Sequence, residues 1–165
     1  MLSGVKLVLL RHGDAEPELA GPLGDHGRAL TSLGRRQARE SAGWLAVEVP
    51  EGSRQIWTSP LVRAVQTAEI LAHGWSEAQV AVADPLSPGR SLNVQVEWVR
   101  GLPGGVDAAL CGHEPSLGDL ASDLIGRRFP LPFEKGAALV LRRVGDRHYF
   151  DAYRAPGHEA VRELP

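Results

Sequence analysis

The sequence predicts an α/β fold: a single-domain, three-layer α/β/α sandwich on a mostly parallel, mixed sheet with helices on both faces. Three observations predict it. Short apolar, partly β-branched runs alternate with stretches of helical periodicity through most of the chain, the pattern of strand–helix–strand units around a buried sheet. The last two strand-like runs follow one another across Gly145-Asp146, which reads as a hairpin and adds an antiparallel edge. The 165 residues contain no linker, internal repeat or low-complexity segment and suit one domain. We place that domain at residues 1–155 and read 156–165 as a polar tail.

Val5 to Leu10 is a buried strand, followed by a polar, Gly/Pro-rich loop from Gly13 to Arg28. Thr31 is an N-cap for a helix that runs towards Val49, with Leu30, Leu33, Ala38, Ala42 and Leu45 as its apolar stripe. Pro50 and Gly52 end it. Gln55 to Thr58 is the second strand. Ser59-Pro60 opens the next helix, with proline in the tolerated first turn and Leu61, Val65, Ala68, Ile70 and Leu71 facing inward. Gln79 to Ala83 is the third strand, and Ser91 to Arg100 a helix broken by the glycines that follow. Asp107 to Cys111 is the fourth strand and Pro115 to Ile125 the fourth helix. Ala137 to Val144 and His148 to Tyr153 form the hairpin.

Composition narrows the function. The chain is 43% hydrophobic and 23% charged, ordinary for a globular protein and unlike a disordered one. A net charge of −2 offers no general attraction to nucleic acid or to an anionic membrane. The single cysteine, Cys111, excludes an internal disulfide and any CxxC motif. The early apolar run Leu7 to Leu10 is too short to span a bilayer and lacks the pattern of a secretory signal. The expectation is a cytoplasmic monomer without metal or cofactor. Its cations are almost all arginines, since only Lys6 and Lys135 are lysines, and arginine suits forked contacts with carboxylate or phosphate.

In open α/β sheets, functional groups gather beyond the carboxyl ends of the strands. Three such ends here carry the same chemistry. The first presents Arg11-His12-Gly13. The second presents Thr58-Ser59-Pro60, with Arg63 in the following turn. The fourth presents Gly112-His113-Glu114-Pro115, again entering a helix. Two arginines, two histidines and two helix N-termini converging on one crevice describe an anion pocket, most naturally for phosphate. Singly, each residue has a plain explanation as a solvated loop residue or turn glycine; their coincidence does not.

Four ordered segments then carry a specific resemblance. Leu-Leu-Arg-His-Gly-Asp-Ala (9–15), Leu-Thr-Ser-Leu-Gly-Arg-Arg-Gln-Ala (30–38), Thr-Ser-Pro-Leu-Val-Arg-Ala-Val-Gln-Thr-Ala (58–68) and Gly-His-Glu-Pro-Ser-Leu (112–117) resemble the motifs of the histidine phosphatase, or phosphoglycerate mutase-like, superfamily. The short chain and the forms of the first and last motifs most resemble its small SixA-like phosphohistidine phosphatases. That resemblance implies His12 as nucleophile through a transient phosphohistidine, Arg11 and Arg63 on the phosphoryl oxygens, and His113 as a further donor, with Gly13 at the phosphate. It also implies a phosphorylated protein as partner, or, as the alternative within the same fold, a small phosphate ester. Chemistry agrees, because a neutral imidazole is nucleophilic near pH 7.

Three carboxylates are candidates for the general acid. The segment after the third strand, Val82 to Arg90, lacks the Leu-x-Glu pattern of many superfamily members. Asp14, Glu114 and Asp84 are candidates, in that order. A site without an obvious acid suits a phosphoramidate, whose imidazole leaves more easily than an alkoxide. His12-Gly-Asp14 also fits a His-x-Asp metal pattern, but such sites need further ligands and adjacent arginines would repel the ion. An inactive phosphate-binding module is the non-enzymatic alternative. Arg147-His148 and Gly157-His158-Glu159 repeat the motif fragments out of context, and these histidines, with His26 and His73, are expected to be structural or surface residues.

Overall fold

A computed structural model describes residues 4–18, 21–50, 52–76 and 78–165. Six strands form one sheet: β1 (Val5–Arg11), β2 (Arg54–Thr58), β3 (Val80–Val82), β4 (Asp107–Gly112), β5 (Ala138–Val144) and β6 (Arg147–Arg154). Their order is β3-β2-β4-β1-β5-β6. The first four run parallel, β5 returns antiparallel to β1, and β6 completes the hairpin. The mostly parallel, mixed sheet expected from the alternation is therefore present, with the hairpin at one side.

Strand periodicity sends alternate β1 residues to opposite faces, and both faces are covered. Val8 and Leu10 pack with the apolar sides of α1 (Ser32–Glu48) and α2 (Val62–Gly74), around Ala42, Leu45, Ala68 and Leu71. Leu7 and Leu9 pack with α3 (Leu92–Arg100) and α4 (Ser116–Ile125), around Val96, Val99, Leu117 and Leu120. This makes the three layers. Among the described residues no helix is long and apolar enough to cross a membrane.

The helix starts follow their local chemistry. Thr31 caps α1 by accepting the Gly34 N–H at 3.0 Å, and Ser91 caps α3 through the Val94 N–H. Three details differ from expectation. The second helix begins at Val62 rather than at Pro60, because the Ser59 hydroxyl takes the Leu61 N–H and leaves Leu61 as the cap. Leu33 is exposed: it lies about 140° around the helix from Ala38, off the buried stripe. The third strand is shorter than read, because it sits at the sheet edge and turns at once into a 3-10 segment, Asp84–Leu86.

The segment 156–165 lies along the domain. Tyr153 and Val161 exchange both backbone hydrogen bonds, at 2.9 and 2.7 Å. The Gly157 N–H donates to Glu40 on α1, and Arg162 pairs with Glu48 at the far end of the same helix.

Candidate active site

The parallel strands β1 and β4 are neighbours, so their carboxyl ends deliver His12 and His113 side by side. The ring centroids are 5.1 Å apart and both residues are buried. β2 lies on the other side of β4 and leads through Ser59 into α2, whose first turn carries Arg63. Sheet order thus brings together residues that are a hundred positions apart in the chain.

His12 is held from both sides. Its backbone donates to Gly112 and accepts from Gly136. Its Nδ1 lies 2.7 Å from the Gly13 carbonyl oxygen. A carbonyl oxygen only accepts, so Nδ1 carries the proton and Nε2 presents the lone pair. The Arg63 Nε–H points at that lone pair from 3.3 Å. Burial, with the nearby charges of Arg63, Arg11 and Arg28, lowers the His12 pKa to about 4, against a weaker raising effect of the Gly13 hydrogen bond. The ring is therefore neutral at pH 7.

The loop after His12 is set by close backbone approach. A Cβ on Gly13 would sit 2.4 Å from the Gly34 carbonyl oxygen, and one on Gly34 would sit 2.0 Å from the Asp14 carbonyl oxygen. Only paired glycines let the start of α1 press this closely on the loop. The Gly13 N–H donates to Thr67 Oγ1, which in turn donates to the Arg63 carbonyl, so the loop is tied to α2 as well.

His113 Nε2 pairs with Ser59 Oγ at 2.7 Å, while its Nδ1 is buried without a protein partner. Burial, then the His12 and Arg63 charges, lower its pKa to about 3. Arg11 donates from Nη1 to the Phe133 carbonyl, and its buried Nε also lacks a partner. Unpartnered buried polar atoms on Arg11 and on His113, whose ring lies beside that of His12, fit a site built for an oxyanion that brings its own acceptors.

Residues 7–87 match the family model of the histidine phosphatase superfamily (branch 1). An uncharacterized protein of Picosynechococcus sp. is 35% identical over 119 residues, covering 71% of each chain. The chain belongs to the histidine phosphatase superfamily. A phosphohistidine phosphatase SixA homolog of Haemophilus influenzae is 26% identical over 138 residues, covering 78% of this chain and 82% of that one. Among solved structures, the protein histidine phosphatase SixA complexed with tungstate superposes with a TM-score of 0.78 at 23% identity, over 92% of this chain and 97% of that one. The fold is the SixA and phosphoglycerate mutase-like one, and the chain is a phosphatase.

The three acid candidates occupy different settings in this histidine phosphatase. Asp14 accepts from Lys135 Nζ at 2.7 Å and from Thr31 Oγ1 at 2.8 Å, and the Lys135 and Thr31 hydrogen bonds hold its pKa below the usual carboxylate range. Glu114 is half-buried, accepts the Gly118 N–H at 2.7 Å, and burial raises its pKa. Asp84 is exposed, pairs with Arg90 at 2.8 Å, and follows β3, three strand spacings of about 4.8 Å from β1. Strand order therefore leaves Asp84 away from the histidine pair.

Two residues near the site escaped sequence reading. Asp25, in a 3-10 turn (Gly24–Gly27), accepts from Arg63 Nη1 at its carbonyl and from Arg63 Nη2 at its carboxylate, at 2.8 and 3.1 Å. Arg28 donates to the same carboxylate at 3.0 Å. Arg28 sits three residues before the Thr31 N-cap, and a third arginine there was the available signal. Of the motif repeats, His158 is exposed, whereas His148 is buried on β6 rather than lying in the hairpin turn. Among the described residues no cluster of three or more His, Cys, Asp or Glu could hold a metal ion.

Proposed function

We propose that this histidine phosphatase is a metal-independent hydrolase in which His12 is the nucleophile, and that its substrate is phosphohistidine on a signalling or phosphotransfer protein. The observation that carries the reading is the Nδ1–H···O=C bond from His12 to Gly13, which keeps the lone pair on Nε2. Arg63 gives up its weak contact with that nitrogen and, with Arg11, takes the phosphoryl oxygens. Nε2 attacks phosphorus as the bond to the leaving imidazole nitrogen breaks, and that nitrogen takes up a proton. Water then attacks phosphorus on His12, releasing inorganic phosphate and restoring the lone pair. His113 donates to the same oxygens.

The environment favours Glu114 over Asp14 as proton donor, because burial raises one carboxyl while Lys135 and Thr31 hold the other ionised. A relative named as a phosphohistidine phosphatase supports phosphohistidine as substrate. The test is a panel of phosphohistidine proteins against sugar and glycerate phosphates, with acid quench to trap the intermediate. Preferred turnover of the proteins and an acid-labile, base-stable phosphoenzyme are expected. Faster turnover of a small ester would replace the substrate assignment, and a phosphoenzyme that persists in His12→Ala would remove the nucleophile assignment.

A further inference from the structure

A groove of about 560 Å³ runs between α1 and α2 on the outer surface. It begins beside the candidate active site. Gln66 lies one turn beyond Arg63 on α2, and Arg35 follows Gly34, the residue pressed against the loop after His12. From Gln66 to Gly74 the groove follows α2 for about 12 Å, the length of roughly two helical turns.

Its floor is open without an internal reason. A Cβ on Gly43 would meet nothing within 4 Å, so no contact inside the fold demands glycine in the middle of α1. Glycine there weakens the helix, in contrast to Gly34, whose absent side chain is required by the Asp14 carbonyl. Its wall is charged without compensation. Arg35 and Arg39 lie four residues apart on one side of α1, where like charges repel. Both are exposed, and neither makes a side-chain hydrogen bond or ion pair among the described residues. Glu69 lines the opposite wall and pairs with neither.

We infer that this groove docks an acidic amphipathic helix of the phosphorylated partner protein. The inference rests on the phosphoprotein reading above. Carboxylates four residues apart on such a helix meet Arg35 and Arg39, and small apolar side chains between them settle over Gly43 and half-buried Ile70. Nucleic acid fits less well, because two arginines on a chain of net charge −2 make too short a basic stripe.

The test compares the parent with Arg35→Glu/Arg39→Glu and with Gly43→Trp, which fills the floor. The substrates are an acidic phosphohistidine-bearing phosphotransfer protein, free phosphohistidine and p-nitrophenyl phosphate. A labelled synthetic helix with glutamates at i and i+4 serves as a binding probe. Both variants should raise KM for the phosphoprotein about tenfold at low salt, leave the two small substrates within about twofold, and weaken the probe; charge reversal should also flatten the salt dependence. Unchanged phosphoprotein kinetics in both variants overturns the groove assignment, as does a dimer of the parent that the charge reversal dissociates. An RNA oligonucleotide that binds more tightly than the acidic helix and is lost with the same substitutions also overturns it. A parent that binds the probe, with the variants losing it, yet hydrolyses no phosphohistidine protein supports the groove and overturns the substrate reading instead.

Discussion

Two Arg-His pairs in this chain look alike in sequence and are buried alike, yet the fold gives them opposite settings. His12 and His148 each follow an arginine, and they are 7% and 8% exposed. Burial lowers the pKa of both. His12, however, leaves the carboxyl end of a central parallel strand, beside a second parallel strand end and facing the start of α2. Both its ring nitrogens have defined partners. His148 stands inside the edge strand β6, where its Nε2 is buried with no partner. No second histidine is stacked near it among the described ring contacts, and its charged neighbours are Arg143, Arg100 and Asp146. Neither burial nor the Arg-His pair by itself separates the two. What separates them is whether the strand end opens between helix N-termini or into a hairpin.

The largest expected effect tests that contrast directly. His12→Ala should lose at least about 10³-fold in turnover of an activated aryl phosphate while retaining its circular dichroism spectrum. His148→Ala should turn over like the parent and show its cost in melting temperature. Equal losses of activity at the two positions would erase the distinction. Next, Arg63→Ala and Arg11→Ala should each lose about 10²–10³ in kcat/KM, the cost of a preorganised charge contact. Arg147→Ala, the sequence counterpart of Arg11, should change the rate little in the same assay.

Gly34→Ala probes the backbone rather than the side chains of the site. Its methyl would collide with the Asp14 carbonyl, so chemical denaturation should show a loss of about 1–3 kcal/mol. Activity should fall with it, because the same loop positions His12. Gly43→Ala, which meets no neighbour, should hold or gain stability.

The smallest effect is a proton count. With its folded pKa lowered from 6.5 to about 4, His12 binds fewer protons folded than unfolded between those values. Its stabilising contribution is therefore complete above about pH 6.5 and is lost as pH falls towards 4. His12→Ala should lose less stability than the parent across that window. The His12 ring should show no titration by NMR until well below pH 6. A midpoint near 6.5 would show an imidazole in contact with water.

Much of this was legible in the sequence because it depends on periodicity and on the ends of strands. The alternation of apolar runs gave strand positions to within about a residue at each end, β3 included, and helix starts less closely, as at α2. The arginines and histidines could be placed at strand ends, and parallel order then brings those ends together. What was not legible depends on backbone path in a loop without periodicity. The partner that sets the His12 tautomer is the carbonyl of the next residue, which any amino acid could supply. Asp25 reaches Arg63 only because Gly24–Gly27 winds into a 3-10 turn inside a Gly/Pro-rich stretch. The order Asp14, Glu114, Asp84 read from the sequence rested on motif position alone, because what distinguishes the first two lies in Lys135, which is 121 residues from Asp14, and in the burial of Glu114.

The paired bridge between Tyr153 and Val161 also bears on the company the molecule keeps. A sheet that is not closed into a barrel has two margins at which strange strands can add. Here one margin is β3, only three residues long. The other is β6, eight residues long, and the returning segment blocks part of it by pairing with Tyr153 in both directions. The clasp of Arg162 on Glu48 and of Gly157 on Glu40 anchors that segment across α1. At Tyr153 the segment thus forms a selvedge, a finished stretch of border where Val161 takes the backbone pairing that a neighbouring strand would otherwise find.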